Sequence, residues 1–149
     1  MTENDQFILE IKNLSIGLPR SADRVYAVED ASLQVNKGEV LCIVGESGSG
    51  KSVLTSAILN DIATGLSLLG GEVLYKGEDI LKLKQSELNK LRGANISMIY
   101  QEPMAALNPS IKVGKQIEEV FELHRPEIQK HQRKTETLKL LKEMQLSTP

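Results

Sequence analysis

Aromatic residues are scarce in this 149-residue chain, with no tryptophan, three tyrosines and two phenylalanines. Any core must therefore be built from Leu, Ile and Val. Net charge is also low, at −2, which gives no electrostatic reason to expect nucleic acid or anionic lipid as a main partner. A single cysteine, Cys42, excludes a disulfide within the chain and fits a reducing compartment. It lies inside an apolar run, where a small buried hydrophobe is expected. No apolar run approaches the ~20 residues of a membrane span. The opening MTENDQ has neither the basic nor the apolar region of a signal peptide. The expectation is a cytosolic chain of one domain, since 40% hydrophobic content is compatible with a folded globule.

What is present centres on residues 40–60, VLCIVGESGSGKSVLTSAILN. Val40 to Val44 reads as a strand buried on both faces, followed by a glycine-rich turn and a helical pattern. Gly45, Gly50, Lys51 and Ser52 satisfy G-x-x-x-x-G-K-[ST], the pattern of a phosphate-binding loop. Each residue type has a physical reason. Gly45, Gly48 and Gly50 open backbone dihedrals closed to residues with a β-carbon and allow close approach to an anion. The backbone N–H groups of Gly45, Glu46, Ser47, Gly48, Ser49 and Gly50, with the positive end of the following helix, can then converge on phosphate oxygens. Lys51 is the cation expected to reach the β- and γ-phosphates, and the Ser52 hydroxyl is a candidate ligand for Mg²⁺. The dinucleotide pattern G-x-G-x-x-G is not met. Asn36-Lys37-Gly38-Glu39 departs from the guanine-reading N-K-x-D by its glutamate and by preceding the loop.

Elsewhere the pattern predicts a half-buried strand over Phe7, Leu9 and Ile11, a loop over 13–24, and a second alternation at Ala31, Leu33 and Val35, giving an antiparallel hairpin that leads into the central strand. Gly65, Gly70 and Gly71 precede a short expected strand over 72–77, and Leu68-Leu69-Gly70-Gly71-Glu72 reads as a turn. Ser86 is placed as the cap of a helix through Leu88 and Leu91, with Gly93 past its end. Ile96 to Tyr100 reads as another strand, running into Gln101-Glu102-Pro103, at the end of a strand where open α/β sheets place ligand chemistry. Two helices are expected over 114–123 and 127–146, broken by Pro126, with Leu138, Leu141 and Met144 as a packing face. His124 and His131 read as surface residues, and Lys130, Arg133 and Lys134 as a solvated basic run.

The loop 45–52, combined with Met98-Ile99-Tyr100-Gln101-Glu102-Pro103-Met104 and Leu107-Asn108-Pro109, resembles the ATPase subunits of ABC transporters. It is similar more narrowly to the oligopeptide, dipeptide, nickel and glutathione importer branch, where Q-[DE]-P-M-x-x-L-N-P is characteristic. Val113-Gly114-Lys115-Gln116-Ile117 and Leu123-His124 also match that branch, and the similarity runs from about Ile8 to Leu146. The resemblance implies an α/β P-loop nucleotide-binding fold with an N-terminal antiparallel β-subdomain and the start of a helical subdomain. Residues 1–100 would form the β-subdomain and loop core, and 101–149 the glutamine loop and the beginning of the helical subdomain. It implies Mg-ATP as ligand, with Lys51 and Gln101 catalytic and with Ser52 and Gln101 at the metal. In the family an aromatic residue ahead of the loop stacks on adenine; the aligned place holds Leu18, and the nearest aromatic is Tyr26. As a bare sequence fact, Tyr26 is equally a strand residue packing on the sheet. Partners implied are membrane permease subunits, contacted through the segment after Gln101, and a second ATPase subunit, on the cytoplasmic face of the membrane. No nucleic acid is implied.

Hydrolysis in that family also needs an aspartate-glutamate pair ending a further apolar strand, a signature LSGGQ helix and a later histidine. The sequence has no aspartate beyond Asp79, and it resembles the N-terminal, truncated portion of such a subunit, so little turnover is expected of it alone. Two alternatives stand beside this reading. A small P-loop kinase shares the loop but needs an arginine cluster, and Arg92, Arg125 and Arg133 are scattered. A binding module would retain ATP or permease contact without turnover.

Overall fold

A computed structural model describes residues 7–102 and 106–146, which divide into two compact units, Met1–Leu88 and Asn89–Pro149. The expectations for MTENDQ, for Pro103 and Met104, and for the last three residues lie outside the described residues.

The first unit is built on a four-stranded antiparallel sheet in the order β2-β1-β3-β4. Its strands are β1 (Phe7–Gly17), β2 (Tyr26–Asn36), β3 (Ser67–Tyr75) and the short β4 (Glu78–Asp79). The alternation predicted for β2 is present, with Ala31, Leu33 and Val35 half-buried between exposed neighbours, whereas β1 forms where expected but is half-buried at every position from Phe7 to Glu10 before Ile11 is buried. β1 runs further than expected, because a bulge keeps it in the sheet where the pattern reads as a loop. Asn13 takes a φ of 47°, and the buried side of the strand passes from Ile11 to Leu14 and Ile16. An extra residue at the bulge resets the two-residue period, so the same face stays in the core. Side chains secure it: Asn13 Nδ2 donates to Asp30 Oδ1 at 2.9 Å, the Asn13 N–H to Ser32 Oγ at 2.9 Å, and the Asp30 N–H to Ser15 Oγ at 3.0 Å.

The turn expected at Leu68–Glu72 is instead part of β3, which pairs with β1 from Ser67 onward. Gly71 explains the difference: at φ 97° a β-carbon there would lie 2.4 Å from Leu14 Cα, so glycine serves close strand approach. Beyond β4, a 3₁₀ turn (Ile80–Lys82) starts with Asp79 Oδ1 accepting from the Leu81 N–H. Helix α1 (Lys51–Ile58) buries Leu54 and Ala57, in a core that also includes Ile11, Leu14, Ile16, Ala27, Val28, Val73, Ile80 and Leu88. Helix α2 (Gln85–Leu91) contains Ser86, and just ahead of it the Lys84 N–H donates to Glu87 Oε2 at 2.9 Å. Gly93 follows its end at φ 80°, as expected.

Two expected strands do not form. Residues 40–44 carry no β-ladder among the described residues, and Val40 and Val44 are 93% and 87% exposed. Residues 96–100 make a single parallel bridge, Arg92 to Ile96, and Ile99 is 95% exposed. An apolar run becomes a buried strand only when neighbours hydrogen-bond its edges and cover its faces, and the described residues supply neither here. Cys42 is exposed for the same reason, not buried.

In the second unit, α3 (Val113–His124) packs on α4 (Lys130–Glu143), with the break at Pro126 in place. α4 is shorter at both ends than the expected 127–146. An ion pair of 2.5 Å joins Arg133 Nη1 to Glu122 Oε2. Leu138 and Leu141 are half-buried, whereas Met144 is exposed. His124 departs from the surface reading: it is half-buried, and a β-carbon on Gly93 would come within 2.8 Å of its Nε2.

Candidate functional site

The turn 45–50 delivers the chain from residues 40–44 to α1. Gly48 and Gly50 hold φ of 78° and 91°, values that a β-carbon disfavours. Gly50 is the N-cap of α1, and no side chain caps that end, leaving the first-turn N–H groups and the helix dipole available to an anion. Close packing fixes the turn against β2: a β-carbon on Gly50 would lie 2.1 Å from the Ala27 carbonyl oxygen. At Gly45 the corresponding approach is 2.9 Å, to Ser49 Oγ.

Lys51 Nζ donates to the carbonyls of Gly45 at 2.8 Å and Glu46 at 2.5 Å, and to Ser49 Oγ at 3.2 Å. Three acceptors for three ammonium donors place a positive charge against the turn. Beside it opens a cleft of about 670 Å³ whose lining includes Tyr26, Ala27, Gly45, Ser49, Gly50 and Lys51. Thus five of the candidate residues, Tyr26 among them, face one cleft. Tyr26 is also the first residue of β2, paired with Gly17 and 37% exposed, so its two sequence readings meet in one position. Glu46 contributes its carbonyl to Lys51, Gly48 sits at the crest of the turn, and Ser47 is exposed there. Ser52 stands exposed in the first turn of α1, its carbonyl accepting from Thr55 Oγ1 at 3.1 Å.

One contact has no counterpart in the sequence pattern. Arg24 Nη2 donates to the Gly48 carbonyl at 2.6 Å, and Arg24 lines the same cleft. A lone arginine in a polar loop carries no motif. Its partner is a backbone oxygen 24 residues away, which only the fold brings near.

Gln101 lies in the second unit, exposed in a bend. After it, Leu107-Asn108-Pro109 is closed by Gln116: its Oε1 accepts from the Asn108 N–H at 3.0 Å, and its Nε2 donates to the carbonyls of Asn108 at 3.0 Å and Ile111 at 2.8 Å. Two sequence motifs of that segment are therefore one folded turn on the start of α3.

Known proteins decide the lineage. The family model described as ABC transporter matches residues 28–148. This chain belongs to the ABC transporter family. The chain is 39% identical over 142 residues to the probable D,D-dipeptide transport ATP-binding protein DdpD of Escherichia coli, covering 95% of this chain and 43% of that protein. To the oligopeptide transport ATP-binding protein OppD of Bacillus subtilis it is 41% identical over 143 residues, covering 95% and 40%. A solved dimeric post-hydrolysis state of the ATP-binding cassette MJ0796, bound to ADP and Pi, superposes with a TM-score of 0.75 at 25% identity, over 93% of this chain and 58% of that one. The ABC chain described here spans about two fifths of the length of these two curated relatives. The fold is that of an ABC ATPase, with its antiparallel sheet, phosphate loop and helices present.

Proposed function

We propose that the chain provides the nucleotide-binding part of the ATP-binding subunit of an ABC importer for peptides or related small solutes. One observation carries this reading: left-handed Gly48 and Gly50 turn the backbone onto the uncapped N-terminus of α1 directly beside the Lys51 ammonium. That arrangement suits a polyphosphate, because N–H dipoles and a cation converge on one point. The names of the E. coli and B. subtilis relatives, both ATP-binding proteins of peptide transport, support the solute class.

In this reading Lys51 and the amides of 45–50 bind the phosphates, and Tyr26 lies along the cleft toward the base. The Ser52 hydroxyl and the Gln101 side-chain oxygen are hard donors of the kind Mg²⁺ takes. Among the described residues no group of three His, Cys, Asp or Glu side chains could hold a metal. When bound, Mg²⁺ supplies charge neutralisation to the transferring phosphoryl group. Residues 1–100 form the β-subdomain and loop core, and 101–149 the glutamine loop with the first helices of the helical subdomain. The segment after Gln101, including the turn closed by Gln116, contacts a membrane permease from the cytoplasmic face, and a second ATPase subunit completes the pair. No helix among the described residues is long and apolar enough to cross a membrane.

The test couples binding to turnover. The 149-residue chain should retain fluorescent ATP at equilibrium while releasing phosphate from Mg-ATP at background rate, since the sequence holds no aspartate beyond Asp79 to serve a second metal-binding acid. Turnover matching an intact subunit, or transfer of phosphate to an added acceptor, would contradict it.

A further inference from the structure

We propose that Arg24 is a further nucleotide-binding residue, tying the β1–β2 connection to the crest of the phosphate loop and pairing with the polyphosphate of the nucleotide. The proposal rests on the nucleotide reading above. Arg24 Nη2 meets the Gly48 carbonyl at 2.6 Å, at the crest where the backbone turns left-handed. A guanidinium presents five N–H donors in a fixed fork and keeps its charge. One donor meets Gly48, and Arg24 lines the cleft shared with Ser49, Gly50 and Lys51.

Charge in the cleft points the same way. Its lining holds two cations, Arg24 and Lys51, against one carboxylate, Glu29. Arg24 is also well placed in the chain: the Leu18 N–H donates to the Val25 carbonyl at 2.8 Å, and the β1–β2 ladder begins with Tyr26 against Gly17. The residue therefore stands two positions from a fixed strand. Planar, charge-assisted contacts to phosphate are a role that arginine fills better than most side chains.

The experiment is an equilibrium titration of the 149-residue chain with fluorescent ATP, ADP and AMP, for wild type, Arg24→Ala, Arg24→Gln and Arg24→Lys, with melting curves for each. Arg24→Ala and Arg24→Gln should raise the Kd for ATP and ADP about tenfold or more while moving AMP far less. Arg24→Lys should recover a large part of the loss, and the Arg24→Gln protein should show a shallower dependence of Kd on salt. Arg24→Gln binding ATP like wild type would overturn the proposal. So would a loss shared equally by ATP, ADP and AMP with a lowered melting temperature, which marks a purely structural role. If wild type binds none of the three, the nucleotide reading itself falls, and the Arg24 assignment with it.

Discussion

Alanine at Gly50 should damage the protein far more than alanine at Gly48, although both are loop glycines at positive φ. At Gly48 the added β-carbon meets nothing within 4 Å among the described residues, so the cost is that of holding alanine in the left-handed region, ~1–2 kcal/mol. At Gly50, with φ 91°, the same carbon would lie 2.1 Å from the Ala27 carbonyl oxygen, with the Ala27 carbonyl carbon at 3.2 Å and Val28 Cγ2 at 3.4 Å. Ordinary contact requires the loop and β2 to separate by roughly 1 Å, and overpacking of this kind costs ~1–3 kcal/mol on top of the conformational term. Gly50→Ala should therefore lose ~2–5 kcal/mol in all, a large share of a total stability of ~5–15 kcal/mol. A difference of ~1 kcal/mol moves the midpoint by ~4–8 °C in a domain of 60–100 residues, so Gly50→Ala, costing ~1–3 kcal/mol more, should melt roughly 4–24 °C below Gly48→Ala. Circular dichroism melts of wild type and both variants decide it. Equal midpoints for the two variants would refute the packing of the loop against Ala27.

Three further outcomes follow from particular side chains. Thr137 is 3% exposed and its Oγ1 has no hydrogen-bond partner among the described residues, so Thr137→Val should hold or raise stability by about 1 kcal/mol, since an unsatisfied hydroxyl leaves the core; a loss above about 1 kcal/mol in urea unfolding would point to a partner for that hydroxyl. Glu10 is held below the ordinary carboxylate range, first by the Gln34 amide, whose Nε2 donates at 2.7 Å, and then by Lys12. Because its folded value is the lower one, its contribution is present above the unfolded pKa and lost as pH falls through the folded pKa; Glu10→Gln should flatten the acid limb of the stability-versus-pH curve, and an unchanged limb counts against this. Cys42 is exposed, so one thiol per chain should react with a disulfide reagent in native buffer, and protection until denaturant is added would mean that residues 40–44 are covered in solution.

Legibility of the chain followed how locally each feature is determined. The strand at Phe7–Ile11, the alternation of β2, the glycine-rich loop before α1 and α3 rest on neighbours in sequence, and the structure places them where the pattern puts them. Features set by contacts distant in sequence read less well. The bulge at Asn13 depends on Asp30 and Ser32, and the pair Gly70-Gly71 belongs to a strand because Leu14 crosses closely behind it. Residues 40–44 and 96–100 show the opposite failure. Their apolarity signals a covered environment, and hydrophobic burial is non-directional, so the run itself cannot specify which strand pairs with it. At the site, the motif named the residues of the loop, whereas the anchors from the opposite side, the Ala27 carbonyl and the Arg24 guanidinium, enter through folding alone.

The central claim is that the loop 45–52 with Lys51 is a working nucleotide-phosphate site, and calorimetric titration of ATP into wild type and Lys51→Ala tests it most directly. Wild type should bind one ATP per chain, and Lys51→Ala, which removes the ammonium held at the Gly45 and Glu46 carbonyls, should bind at least about tenfold more weakly with its helical content unchanged. Equal affinity in the two proteins, or no heat of binding in wild type at millimolar ATP, would contradict it.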